Sequence, residues 1–247
     1  MLAILGGSGL SQLTGLEGLR RKPVDTVYGE PSAPLTLGRI GGQEVVFLAR
    51  HGDRHTLAPH QVNYRANIRA LKDEGVTEIV SIATVGGIRR GFGPGVLVIP
   101  DQIIDYTWGR AATFFEGPDA KVMHIDFTKP YSDALRGRIL AAAGACGETV
   151  ADGGVYAATQ GPRLETAAEV TRLERDGADL IGMTGMPEAA LAREAGLAYA
   201  AIAVVANHAA GRGDSAQEIT LERIETVLGQ AMERVRRILV QFARTPA

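Results

Sequence analysis

Short apolar, β-branched runs recur along this 247-residue chain, and stretches of helical period separate them. That alternation restricts the fold more than any other feature. The runs read as strands at 3–5, 35–40, 44–49, 78–84, 96–104, 154–159, 180–182 and 198–205. Helices are expected at 61–74, 132–145, 163–176, 186–195 and 220–243, where apolar residues return every three or four positions. Strands interleaved with helices bury a sheet between helical layers, so the class is α/β. In the helix at 186, Pro187 suits the first turn and Gly196 a left-handed stop. The last helix places Leu221, Ile224, Leu228, Ala231, Val235, Ile238 and Phe242 on one apolar face. No repeat, low-complexity tract or linker interrupts the pattern, and residues 1–247 are expected to form one domain.

Composition narrows the partners. With 45% hydrophobic and 22% charged residues the chain has ample core material. A net charge of −2 gives no electrostatic footprint for nucleic acid or an anionic membrane. The pairs Arg89-Arg90 and Arg236-Arg237 read as solvated surface. A single cysteine, Cys146, excludes an internal disulfide and a cysteine-based zinc site, and reads as a packing thiol in a reducing cytoplasm. Residues 1–5 run into glycine with no basic n-region, which does not read as a signal peptide. The longest apolar run, 197–206, falls well short of the ~20 residues of a membrane span.

Several strand ends carry groups with chemistry. Val204-Val205-Ala206-Asn207-His208-Ala209-Ala210-Gly211 ends an apolar run in an amide. An amide donates one hydrogen bond and accepts another at the same spot, whereas a carboxylate there could only accept. Gly6-Gly7-Ser8-Gly9 offers backbone N–H groups and a hydroxyl to an anion. A tight strand-to-loop turn needs the same glycines, and the spacing departs from GxGxxG, with Gln12 three residues beyond Gly9. Arg50-His51-Gly52 closes the strand at 44–49, and ligands of α/β sheets bind at strand ends. Arg is a forked cation suited to phosphate, although a surface Arg and a structural His would read the same way. His55 and His60 follow, but no carboxylate-rich segment completes a metal set, and no metal is expected. Thr84-Val85-Gly86-Gly87 ends another strand, and Met183-Thr184 precedes a helix N-terminus, which favours anions. Each segment is bland alone; together they describe one phosphate-sized anion site.

Gly6-Gly7-Ser8-Gly9-Leu10, Ala49-Arg50-His51-Gly52, Val62-Asn63-Tyr64-Arg65-Ala66-Asn67-Ile68, Gly161-Pro162-Arg163 and Met183-Thr184-Gly185-Met186-Pro187-Glu188 combine into a recognisable set. With them the chain resembles, over almost its whole length, the methylthioadenosine phosphorylase branch of the trimeric purine nucleoside phosphorylases. The resemblance implies a central mixed, twisted and partly barrel-like sheet flanked by helices. It implies phosphorolysis, in which a purine nucleoside and phosphate give free base and a pentose 1-phosphate, with no cofactor. It carries phosphate onto Ser8, Arg50, His51, Ala83, Thr84 and Thr184, with Ser8 where many relatives have Thr. Met183 would meet the ribose, and Leu164, where adenosine-type relatives have Phe, would meet the base. Ile219, Leu221 and Ile224 would wall the 5′ substituent, joined by His124 of a neighbouring subunit. A homotrimer follows, or a hexamer built as a dimer of trimers.

Three slots depart from the adenine pattern. Relatives that cleave methylthioadenosine carry Asp in the slots of Asn207 and Ala209 and Ser in that of Glu165. Enzymes for inosine and guanosine show Asn and Glu at 207 and 165. Hypoxanthine offers an acceptor at O6 and donors at N7–H and N1–H, which suit an amide and a carboxylate. Adenine would set its bare N1 against Glu165, and mispaired polar groups in a buried site discriminate by roughly 10⁴-fold. The expected catalytic residues are Asn207, which stabilises the leaving purine, and His51, which orients phosphate. The expected substrate is 5′-methylthioinosine. Inosine/guanosine or methylthioadenosine phosphorolysis, nucleoside hydrolysis and non-catalytic nucleoside binding are the alternatives.

Overall fold

The computed structural model describes residues 1–7, 16–118, 120–219 and 221–244. The strands are β1 (Leu2–Gly6), β2 (Glu17–Lys22), β3 (Leu35–Ile40), β4 (Gln43–Ala49), β5 (Glu78–Gly87) and β6 (Leu97–Ile99). They continue with β7 (Gln102–Asp105), β8 (Ala151–Asp152), β9 (Val155–Ala158), β10 (Leu180–Gly182) and β11 (Ala198–His208). The helices are α1 (Tyr64–Asp73), α2 (Asp133–Ala145), α3 (Ala167–Arg175), α4 (Gly185–Glu194) and α5 (Leu221–Arg244).

All these strands join one mixed sheet in the order β2-β3-β4-β1-β5-β10-β9-β7, with β11 on β5 and β6, and β8 on β6. β5 is the branch point. It runs parallel to β1 and β11 and meets β10 antiparallel at Gly86 and Gly87. Its sequence Glu-Ile-Val-Ser-Ile-Ala-Thr-Val-Gly-Gly is buried nearly throughout, as a strand covered on both faces must be. The sheet branches here but does not close, so the expected barrel-like character stops short of a barrel.

Departures from the expected elements have local causes. The run at 96–104 splits into β6 and β7 at Pro100, which has no N–H to give a ladder. β2 was not expected, because Glu-Gly-Leu-Arg-Arg-Lys shows no apolar alternation; it is a fully exposed edge strand paired with β3. Its charges suit a sheet edge. β5 and β11 run beyond their apolar cores because Asn207 and His208 pair with Gly86 and Gly87. A side chain at Gly87 is impossible there, since a Cβ would lie 1.7 Å from the Phe92 carbonyl oxygen.

Helix α3 begins at Ala167 rather than 163, because Thr166 and Glu169 form a reciprocal capping box. Glu165 therefore stands in the loop before the helix. In α4, Met186 is extended, so the regular turn starts at Pro187, and Gly196 at φ +69° ends it. Helix α5 buries Leu228, Ala231, Val235, Ile238 and Phe242 and packs on α2 and β11.

Candidate active site

A cavity of about 520 Å³ lies at the ends of β4, β10 and β11 and along the far half of β5. Strand ends are where an α/β sheet gathers backbone and side-chain groups for a ligand.

Arg50 continues β4, its N–H donating to the Gly6 carbonyl at 3.0 Å. It is fully buried, as is Glu188 at 1% exposure. Nε donates to Glu188 Oε2 at 2.6 Å, and Nη2 to Glu188 Oε1 at 3.0 Å and Ser81 Oγ at 2.6 Å. Nη1 donates to the Ile82 carbonyl at 3.1 Å. Glu188 also accepts from Ser81 Oγ at 3.0 Å and Tyr199 Oη at 2.8 Å. Burial opposes the guanidinium charge, but Glu188 outweighs it and raises the pKa further above its ordinary value. The Arg50 fork is thus committed to Glu188. Nη1 also lies beside Gly7, where a Cβ would stand 3.0 Å from Nη1 and 2.5 Å from the Ile82 carbonyl oxygen. Glycine at position 7 keeps Arg50 in the cavity wall.

His51 is 7% exposed, and its Nδ1 lies 2.8 Å from the Leu57 carbonyl oxygen. A carbonyl can only accept, so Nδ1 carries the hydrogen and Nε2 presents a lone pair when the ring is neutral. Burial, then the Arg50 charge, lower its pKa to about 4. His55 packs against it with ring centroids 4.6 Å apart.

Thr84 and Thr184 both line the cavity, and Thr184 makes no capping bond to α4 despite preceding it. Ala83 does not line it; strand alternation turns this residue into the core at 3% exposure. Ser8 lies outside the described residues.

Asn207 owes its place to a β-bulge. Val204 and Val205 pair with Thr84 and Val85, but Gly86 pairs with Asn207, so Ala206 is the extra residue. Thr84 and Gly86 share a face, and the bulge brings Asn207 rather than Ala206 opposite Gly86 and into the cavity wall. Its Nδ2 donates to the His208 carbonyl at 2.6 Å, which fixes which end of the half-buried amide is the donor. Glu165 is the one acidic side chain lining the cavity among the described residues. Its Oε1 accepts from Thr159 Oγ1 at 2.7 Å.

Leu164, Met183, Ala209, Ile219 and Ile224 complete much of the apolar lining, with Leu164 still 42% exposed. The side chain of Leu221 lies outside the description. His124 is exposed and does not reach the cavity of its own chain.

Three contributors were not read from the sequence. The segment Thr56–Pro59 lines the cavity; its legible signal was the glycine turn after Arg50-His51. Glu188 could have been inferred, because an Arg ending a buried strand needs a counter-charge. Arg110 donates through Nη1 to the carbonyls of Met183 at 2.8 Å and Met186 at 2.6 Å, and through Nη2 to that of Gln160 at 2.8 Å. It fastens two segments of the wall, and no local pattern marks it.

Comparison with known proteins agrees with this architecture. The phosphorylase superfamily pattern matches residues 1–244. A probable S-methyl-5'-thioinosine phosphorylase of Xanthomonas campestris pv. campestris is 53% identical, covering 98% of this chain and 97% of its own. A 6-oxopurine nucleoside phosphorylase of Pyrococcus furiosus is 41% identical over 97% of this chain and 90% of its own. Among solved structures, methylthioadenosine phosphorylase from Schistosoma mansoni in complex with adenine superposes with a TM-score of 0.93. The two are 30% identical, with 98% of this chain and 90% of that one covered. The chain belongs to the phosphorylase superfamily, as a pentosyltransferase of the purine nucleoside phosphorylase type.

Proposed function

We propose that this protein cleaves a 6-oxopurine nucleoside with phosphate, and that its substrate is S-methyl-5′-thioinosine. The products are hypoxanthine and 5-methylthioribose 1-phosphate. One observation carries the reading: an amide whose orientation is fixed by a backbone carbonyl and a single carboxylate line the same cavity. Asn207 accepts from N7–H through Oδ1 and donates to O6 through its second Nδ2 hydrogen. Glu165 accepts from N1–H. Adenine presents the wrong polarity to both groups.

The chemistry follows from charge. The C1′–N9 bond breaks, its electron pair leaves with the purine, and a phosphate oxygen forms the new C1′–O bond. Asn207 stabilises the departing base, which takes its proton at N7 from solvent. Phosphate sits near Arg50 Nη1, His51, Thr84 and Thr184, and its negative charge faces the cationic sugar. Positioning and preorganised charge then supply most of the rate. The lone pair on His51 Nε2 suits a protonated phosphate oxygen. Ile219 and Ile224 favour a methylthio group over a hydroxyl by about 1–3 kcal/mol. A broader inosine and guanosine phosphorylase is the second reading, favoured by the half-exposed Leu164.

By the same resemblance we propose a single domain, a homotrimer in the cytoplasm, and His124 reaching a neighbour's sugar pocket. Initial rates on methylthioinosine, methylthioadenosine, inosine and guanosine, with and without phosphate, test the reading. Phosphate-independent base release would replace phosphorolysis with hydrolysis. Binding without turnover would reduce the protein to a nucleoside carrier.

A further inference from the structure

Glu165 lines two cavities. One is the cavity described above. The other, of about 400 Å³, opens on its far side and is lined by Thr159, Trp108, Arg163 and Arg172 among others. Glu165 has no place in helix α3, which starts two residues later, and its loop carries Gly161 at φ +60°. The Thr159 hydroxyl is the single hydrogen-bond partner of its carboxylate among the described residues. Arg163 and Arg172 line the outer cavity, but Arg163 is already held bidentate by Glu169 at 2.7 and 2.8 Å, and Arg172 pairs with Asp176. An untethered carboxylate on this loop would have both cavities open to it and no fixed direction.

Thr159 is well placed to prevent this. It follows β9 directly, and its N–H donates to the Gly182 carbonyl at 2.8 Å, extending the β9–β10 pairing by one residue. Its own carbonyl accepts from Arg110 Nη2 at 3.3 Å. The hydroxyl also lies 3.2 Å from the Gly182 carbonyl oxygen, but it has one hydrogen, and the 2.7 Å contact with charged Glu165 is the stronger claim on it. A donor fixed to the sheet thus holds a carboxylate carried by a loop.

We propose that Thr159 is a specificity-positioning residue, whose hydroxyl latches Glu165 Oε1 and leaves Oε2 to receive N1–H of a 6-oxopurine. This rests on the reading of Glu165 as the N1–H acceptor. The latch acts on selectivity because it aligns a group that accepts from N1–H of a 6-oxopurine and opposes the bare N1 of an adenine-type base.

The test uses the full-length protein with methylthioinosine and phosphate as substrates. Purine riboside, whose ring has a bare N1 and no O6, serves as competing ligand. Thr159→Val should lower kcat/KM for methylthioinosine about tenfold, within the range of a hydrogen bond to a charged group. Thr159→Ser, which keeps the hydroxyl, should stay within about threefold. The inhibition constant of purine riboside, whose bare N1 is opposed by an aligned Glu165, should not rise in either variant. Thr159→Ala repeats the deletion should the valine variant misfold, and thermal melts verify folding. Glu165→Gln should lower methylthioinosine turnover at least as much, and adding Thr159→Val to it should cost nothing more. If Glu165→Gln is selective but Thr159→Val and Thr159→Ala are silent, the latch is wrong and the Glu165 reading stands. If Glu165→Gln leaves methylthioinosine turnover unchanged, both fall together. Equal weakening of purine riboside by Thr159→Val would reduce Thr159 to general packing.

Discussion

Replacing Asn207 by Asp changes one atom type and two hydrogen bonds. In the folded protein Nδ2 donates to the His208 carbonyl at 2.6 Å. An aspartate oxygen there would face a carbonyl oxygen, lone pair against lone pair. The side chain would turn away, and no donor would remain for O6. Losing the anchoring bond costs about 0.5–1.5 kcal/mol, and the mispaired polar groups about 1–3 kcal/mol. Together these come to roughly 2–4 kcal/mol, a fall of about 30- to 1000-fold in kcat/KM for methylthioinosine, since each ~1.4 kcal/mol is tenfold. Asn207→Ala is the comparator, because it deletes the amide without adding a charge. At neutral pH the Asp variant should be the poorer of the two. It should regain ground as pH falls, because a protonated carboxyl is again a donor. Methylthioadenosine should become a fair substrate when Glu165→Ser is added and not before. Steady-state rates on both nucleosides from pH 5 to 8 (a range of about three units around the ordinary His pKa) decide the matter. An Asp variant as active as Asn207→Ala or better, or a wild type that cleaves both nucleosides equally, would refute the pairing of Asn207 with O6.

Arg50→Ala should do more than weaken phosphate binding: it strands Glu188 without its cation, which costs about 3–5 kcal/mol in buried pairs, measurable by denaturant melts. Arg50→Met with Glu188→Leu should recover much of that stability and none of the phosphorolysis; recovery of both would remove Arg50 from the phosphate site. His51 has its folded pKa pushed down to about 4, so the unfolded chain binds the extra proton between about pH 6.5 and 4. Stability carried by this group is full above the unfolded pKa and is lost as pH falls through that window, with His55, also lowered, acting in the same sense. Melting temperatures of wild type and His51→Gln should therefore converge on acidification, and parallel curves would contradict the assignment. His124→Ala should weaken methylthioinosine more than inosine in an oligomer seen by light scattering; a fully competent monomer would dismiss the shared site.

Much of this architecture could be read from local pattern. The β1, β4 and β5 runs are apolar and β-branched, and their glycine or Arg-His endings mark the end of the sheet where the cavity lies. The boundary of α3 was misread because 163–166 carries helix-compatible residues, and a capping box declares itself through reciprocal geometry. β2 escaped because its residues are exposed and mostly charged, so no apolar alternation marks the strand. At the site, Asn207 was legible as an amide at a strand end, but not the bulge that presents it. That depends on how β11 registers against β5, 120 or so positions earlier in the chain. Glu188 and Arg110 also act on partners far away in the chain, and such pairs leave no local periodicity, whereas Thr159 meets Glu165 only six positions on, across an irregular loop.

The branching of β5 has a kinetic consequence. One strand carries hydrogen bonds to β1, β11 and β10, so the walls contributed by both arms of the sheet share a single backbone. Pulling those arms apart would break ladders on several edges at once, a cost comparable to undoing the whole domain. Amide protons of Ile79–Val85 should consequently be among the last to exchange with deuterium, released only by global unfolding. The parts of the cavity wall that lie outside regular elements are Thr56–Pro59 and Ala209–Ala210 among others, and these can move without breaking the sheet ladders. Any opening of the cavity would then come from these segments, over a floor held by β5.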